Sequence, residues 1–134
     1  MAENDRIGSI LTENRTIAVV GVSDNPERQS YGVARYLKDA GYAVIPVNPK
    51  LKELFGEKSF PDLRSVPGPV DIVDIFRNPD AVPEIVEQAI EKKVKVVWMQ
   101  PGAEHPGAAE RAKAAGIQVV SGQCMKREHM KRNP

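Results

Sequence analysis

The residues best suited to chemistry sit in one stretch, GVSDNPERQS at positions 21–30, between an apolar run and an apolar pattern that resumes at helical spacing. Gly21 lets the backbone turn tightly off a strand, and Ser30 is the expected N-cap of a helix beginning near Tyr31 and Gly32. A helix start offers unpaired N–H groups and partial positive charge, which match a phosphate. The hydroxyls of Ser23 and Ser30 can donate to phosphate oxygens, and Arg28 can add a bidentate charged contact. Ser, Asp, Asn and Pro also build turns for their own sake, with Arg28 then merely solvated. The strand–helix context favours a phosphorylated ligand.

Three further loops fall at strand ends. The second strand ends Pro46-Val47-Asn48-Pro49-Lys50, without the carboxylate that a free ribose of NAD normally meets. Asn48 can hydrogen-bond a sugar or base edge, and Lys50 can pair with a phosphate near the ribose. NADP or another ribose-phosphorylated adenine nucleotide therefore fits better than NAD, although Asn-Pro is also an ordinary turn. Phe76 and Arg77 put an aromatic ring and a guanidinium at the next strand terminus, where they can flank an adenine or a pyrophosphate. The plainer alternative packs Phe76 in the core and solvates Arg77. The segment from Met99 to His105 follows the only tryptophan and either lines a ligand channel or simply connects strand to helix.

Catalytic groups are scarce. His105 and His129 are the only histidines, and neither forms a nucleophile–base–orienter pattern. Cys124 reads as a buried thiol, with Glu128 and His129 an exposed pair on a terminal helix. No metal set emerges, and one cysteine excludes an internal disulfide.

The elements that must position these loops repeat as aliphatic strand, turn and amphipathic helix. Strands are expected at 17–20, 43–47, 72–75, 94–98 and 118–120, and helices at 32–40, 81–92 and 108–115. Shorter helices are expected at 7–13 and 126–131. Val82, Ile85, Val86, Ala89 and Ile90 keep the spacing of one buried helical face. The strands are near-continuous Val/Ile runs, as in a parallel sheet covered on both faces. Gly41 and Gly116 end helices, and Asn78-Pro79 and His105-Pro106 begin them. Residues 51–69 fit least well and read as an irregular crossover able to cover one face of a ligand. The expectation is an α/β, three-layer fold with a five-stranded parallel sheet ordered 3-2-1-4-5. That order places the ligand crevice between the first and fourth strands.

The 134 residues carry a net charge of only +1, which argues against binding nucleic acid through bulk charge. No apolar run approaches the ~20 residues of a membrane span. The acidic, polar N-terminus lacks the features of a secretory signal. One cytoplasmic domain over 1–134 is expected, with its core at about 10–124 and a short C-terminal helix at 125–131.

The motifs, taken together, are recognisable. Gly21-Val22-Ser23-x-x-Pro26-x-Arg28-x-Ser30, Tyr42-x-Val44-Ile45-Pro46-Val47-Asn48-Pro49 and Val70-Asp71-Ile72-Val73-Asp74-Ile75-Phe76-Arg77 resemble the small stand-alone CoA-binding proteins. Val97-Trp98-Met99-Gln100 and Cys124-Met125-Lys126-x-Glu128-His129 match the same family, so the likeness runs from about Ile10 to His129. More distantly, the chain is similar to the CoA-binding domain that begins the succinyl-CoA synthetase alpha subunit. The resemblance implies a Rossmann-like domain binding coenzyme A, with Gly21, Val22, Ser23, Arg28 and Ser30 at its pyrophosphate. Asn48, Pro49 and Lys50 would lie beside the adenosine and its 3′-phosphate, Phe76 and Arg77 across the crevice, and Gln100 near the pantetheine path. Val22 stands where the family usually has alanine. The domain bearing the synthetases' phosphorylated histidine has no counterpart, so neither histidine inherits that role.

Three readings follow. The first is a non-catalytic module that carries or senses CoA or acyl-CoA, with room for a homo-oligomer or a protein partner. The second is a small NADP-binding oxidoreductase or redox sensor. The third is an interaction domain that keeps only the fold.

Overall fold

The computed structural model describes residues 5–133. Residues 1–4, part of the N-terminus read above against a secretory signal, and residue 134 lie outside the described residues. Five strands form one parallel sheet: β1 (Thr16–Val20), β2 (Ala43–Val47), β5 (Ile72–Ile75), β6 (Val96–Met99) and β7 (Gln118–Ser121). Five helices accompany them: α1 (Arg6–Glu13), α2 (Gln29–Asp39), α3 (Val82–Lys92), α4 (Pro106–Ala114) and α5 (Met125–Arg132). The expected elements all occur, within a few residues at their ends. None of the described helices is long and apolar enough to cross a membrane.

Strand alternation sends side chains to opposite faces. Val73, Ile75, Val97 and Met99 pack with Val86 of α3 and Ala112 of α4. Ile72, Val96 and Trp98 pack instead with Ile10 of α1, Leu37 of α2 and Met125 of α5. The three-layer α/β fold is as expected.

The strand order is not. It runs β2-β1-β5-β6-β7, or 2-1-3-4-5 when only the five main strands are numbered, rather than 3-2-1-4-5. Pro46 supplies the physical reason. Proline has no N–H to donate, so it belongs on an edge strand. Beyond the outer edge of β2 only Phe60 pairs, donating its N–H to the Pro46 carbonyl at 3.0 Å and bridging to Val47. A full strand there would need an N–H that Pro46 lacks. The chain instead crosses back over β1 and enters β5 at β1's other side.

That crossover is the irregular segment expected at 51–69. It holds a two-stranded hairpin, β3 (Glu53–Leu54) and β4 (Glu57–Lys58), then a 3₁₀ turn at Leu63–Ser65. Leu63, Val66 and Val70 bury themselves on the α3/α4 face, and the Lys92 ammonium donates to the Val66 carbonyl.

Asp71 fixes where β5 begins beside β1. One carboxylate oxygen accepts the N–H groups of Arg15 and Thr16 at 2.9 and 3.1 Å, and Lys95 stands at 3.6 Å from the other. Partial burial pushes this carboxyl up, but the two amide donors and Lys95 outweigh it and leave the pKa below the ordinary value. A depressed native pKa adds stability that is present above the unfolded-state value and lost as pH falls through the native one. Asp71→Ala is therefore expected to lower unfolding free energy by about 2 kcal/mol at neutral pH. The difference should shrink toward zero in acid unfolding series, and a difference independent of pH would contradict this role.

Candidate functional site

With order 2-1-3-4-5 the point where connections diverge lies between β1 and β5, not between the first and fourth strands. A cleft of about 1100 Å³ opens there, at the carboxyl ends of the strands. Its size lies just above the ~300–1,000 Å³ range of small-molecule pockets, leaving room for an extended ligand.

The first loop forms one wall. Gly21 leaves β1 at φ +87° while its N–H donates to the Val47 carbonyl at 2.9 Å. The extra residues before the helix make a relay of tight turns. Ser23 Oγ accepts from the Asn25 N–H, and Asn25 Oδ1 accepts from the Glu27 N–H. The helix begins earlier than expected: Arg28 is the N-cap of α2 and contributes no side-chain cap. Ser30 is not the cap but a buried first-turn residue whose hydroxyl accepts the Ser23 N–H at 2.9 Å. The opening turn of α2 thus faces the cleft through Arg28, Gln29 and Ser30 without a capping side chain.

The second loop braces the first. Asn48 donates through Nδ2 to the Val22 carbonyl at 2.8 Å and accepts the Lys50 N–H on Oδ1 at 2.8 Å. Its amide therefore serves chiefly to lock two loops together rather than to present a free edge. Pro49 and Lys50 follow on the rim, both exposed. Across the cleft Phe76 is half-buried and Arg77 exposed, with the Phe76 N–H bonded to the Val20 carbonyl at 2.8 Å.

Gly21, Ser23, Arg28, Ser30, Asn48, Pro49, Lys50, Phe76 and Arg77 all line this one cleft. Val22 and Gln100 do not. The Val22 side chain is fully buried among α2-face core residues, and only its carbonyl takes part, through Asn48. Gln100 is buried below its loop, donating Nε2 to Asp74 Oδ1 at 2.6 Å, while its successors Pro101, Gly102 and Ala103 reach the cleft. Asp74 itself is wholly buried in β5, and burial pushes its carboxyl up to about 7 against the lowering effect of Gln100.

The crossover at 51–69, read from the sequence as able to cover one face of a ligand, does form part of the far wall, but its individual residues and the α3 side of that wall were missed. Pro61, Asp62 and Leu63 come from the crossover, and Asp80, Ala81, Glu84, Ile85 and Gln88 from the start of α3 and the turn before it. The signal was present in the spacing of Asp80, Glu84 and Gln88, one helical face following the strand end. The cleft is consequently divided in charge. Arg28, Lys50 and Arg77 border the strand ends with no ion pair among the described residues, while Asp62, Asp80 and Glu84 lie on the helix side.

The remaining candidates serve structure. His105 caps α4, its Nδ1 accepting the Ala108 N–H at 2.9 Å. Cys124 is half-buried at the start of α5 rather than fully buried. Glu128 and His129 are not an exposed pair: Glu128 is buried against Arg132 and Lys131, and His129 Nδ1 lies 2.8 Å from the Tyr36 hydroxyl. Among the described residues no group of three or more His, Cys, Asp or Glu could hold a metal ion.

The comparisons with known proteins point one way. The model of the family described as "CoA binding domain" matches residues 15–130. The chain is 39% identical over 123 residues to YneT of Bacillus subtilis, covering 92% of this chain and 91% of that one. It superposes on a solved protein from Pyrococcus horikoshii with a TM-score of 0.93 at 42% identity, covering 96% of this chain and 90% of the other. It is 30% identical to the alpha subunit of ADP-forming acetate–CoA ligase II from Pyrococcus furiosus, over 83% of this chain but only 27% of that subunit.

Proposed function

The chain belongs to the CoA-binding domain family, and from that premise we propose that its cleft binds coenzyme A or an acyl-CoA, as a carrier or sensor module. The observation that carries this reading is the set of cations Arg28, Lys50 and Arg77, which form no ion pair among the described residues, around a helix start without a capping side chain in a cleft of about 1100 Å³. A pyrophosphate is the ligand feature that such a start accommodates, because first-turn N–H groups and the helix dipole act together.

The roles follow from position. The turn at Gly21 allows close backbone approach, the hydroxyls of Ser23 and Ser30 border it, and Arg28 supplies a bidentate cation for the pyrophosphate. Lys50, held beside the braced Asn48–Pro49 turn, takes the 3′-phosphate next to the adenosine. Phe76 and Arg77 face it from across the cleft. Val22 acts through its carbonyl on Asn48, and Gln100 through the Pro101–Ala103 wall. Coenzyme A would supply the thiol that carries an acyl group; this chain's residues bind and orient it.

Parallel calorimetric titrations with CoA, acetyl-CoA, NADP and NAD test the reading. We expect micromolar CoA binding, weakened about tenfold in Arg28→Ala by loss of a charged hydrogen bond. Lys50→Ala is expected to erase a preference for CoA over its 3′-dephospho form. Binding of NADP without CoA would replace this reading with the nicotinamide one, and binding of neither would leave the interaction-domain reading.

A further inference from the structure

Beneath the cleft the structure holds two buried acceptors with nothing to accept. Asp74 Oδ2 and Gln100 Oε1 both lack a hydrogen-bond partner, although their side chains are already joined by the Gln100 Nε2 to Asp74 Oδ1 bond at 2.6 Å. Two orphan acceptors on adjacent partners are an unfavourable arrangement if Asp74 is ionised. A single proton removes both faults. Placed on Asp74 Oδ2, it becomes a donor toward Gln100 Oε1 and closes an acid–amide pair.

We propose that Asp74 is kept as its neutral acid, doubly hydrogen-bonded to the Gln100 amide, and that this proton is coupled to anion binding in the cleft above. The placement supports the coupling. Asp74 lies two residues before Phe76, roughly 7 Å down the strand. Gln100 starts the segment whose next three residues line the cleft, with its N–H on the Ile75 carbonyl and its carbonyl accepting from Ala103. The pair thus joins the roots of two cleft loops. An ionised Asp74 would put a buried negative charge under the positions that bind phosphate.

Nothing nearby offsets that charge. Alternation puts Asp74 on the face covered by α1, α2 and α5, where the ionisable side chains packed on that core are Tyr31, Tyr36, Tyr42 and Cys124, with Arg77 two residues beyond the end of its own strand. None of these acts on it appreciably: burial raises its pKa, and the hydrogen bond from Gln100 opposes that rise only in part. The sign follows. An unfolded aspartate ionises near pH 4, the native one near 7, so this site's contribution to stability falls as pH rises between them and is level above. A bound anion raises the native value further, so affinity should fall as pH climbs through about 7 to 8.

The coupling rests on the CoA-binding reading; the neutral acid does not, and the experiment separates them. In the protein without ligand, Asp74→Asn reproduces the acid's donor and acceptor. Its stability relative to wild type should rise by up to about tenfold in folding equilibrium per pH unit between pH 4 and 7. As a variant-free measure, the carbon-13 carboxyl signal of Asp74 should titrate near 7. Titration near 4, or an Asn variant less stable at pH 8 than wild type, overturns the neutral acid. With CoA, wild-type affinity should drop about tenfold between pH 6 and 8.5 while Asp74→Asn stays flat. Parallel pH curves overturn the coupling. Absence of CoA binding to either protein at any pH overturns the CoA-binding reading and the coupling with it, while leaving the neutral acid to stand on its own arm.

Discussion

Gly21→Ala is expected to lose measurable CoA binding and about 3 kcal/mol of stability. The backbone at φ +87° is left-handed, which disfavours any residue with a Cβ by about 1–2 kcal/mol. The added methyl would also stand 2.2 Å from the Phe76 carbonyl oxygen and 2.7 Å from Arg77 Cδ. The first of these neighbours is backbone and cannot swing aside, so β1 and the end of β5 must part, adding about 1–3 kcal/mol. Separating them also pulls on the Gly21 bond to Val47 and the Phe76 bond to Val20. Those bonds hold three of the cleft's loops in register. Urea unfolding followed by Trp98 fluorescence measures the stability loss, and calorimetry the binding. A variant with an unchanged midpoint and wild-type affinity would show that the close approach of Gly21 to Phe76 is immaterial.

That close approach also marks the limit of what could be read from residues alone. The loops were legible because strand ends in this fold are chemically punctuated: Gly21, Asn48-Pro49 and Asn78-Pro79 each break an aliphatic run. Their mutual arrangement was not, because strand order depends on contacts far apart in sequence. One local clue was available. Pro46, inside a strand, argues for an edge, and an edge β2 forces β5 to the other side of β1. The same distinction explains Ser30 and Asn48. Residue type marked Ser30 as a helix cap, which it is not, and Asn48 as a turn former, which its i,i+2 bond to Lys50 bears out; the bonds of Ser30 to Ser23 and of Asn48 to Val22 depend on how the loops fold and cannot be inferred from spacing. Val22 and Gln100 sit beside cleft residues in sequence, yet period-two and turn geometry carry their side chains into the core. Asp74 was hidden differently, as a lone carboxyl within an apolar strand motif; an acid in such a strand is itself a reason to look for its partner.

Trp98→Ala is expected to divide stability from binding in the opposite sense to Gly21→Ala. Trp98 is fully buried on the α2/α5 face, and its Nε1 donates to the Gln123 carbonyl at 2.8 Å. Removing the indole leaves a large cavity between β6 and the helices and costs about 3–5 kcal/mol. It also releases the segment that leads from β7 into α5, a helix otherwise tied down through Met125 and the ion pair of Arg132 with Asp5. Against a total of about 5–15 kcal/mol for a domain of this kind, the loss brings unfolding close to physiological temperature. Yet Trp98 lines no part of the cleft, whose walls come from the strand ends, the crossover and α3. In the cold and at pH 6, where the variant remains folded and Asp74, the cross-strand neighbour of Trp98, stays protonated, its CoA affinity should stay within about threefold of wild type, since the indole forms no part of the cleft wall. Circular dichroism must follow the unfolding, because the substitution removes the only tryptophan. Saturating CoA should then raise the variant's transition temperature by mass action, as is expected for wild type. A folded Trp98→Ala protein without CoA affinity would mean that the α2/α5 core and the cleft are one cooperative unit, and that the site cannot be assigned to its lining residues alone.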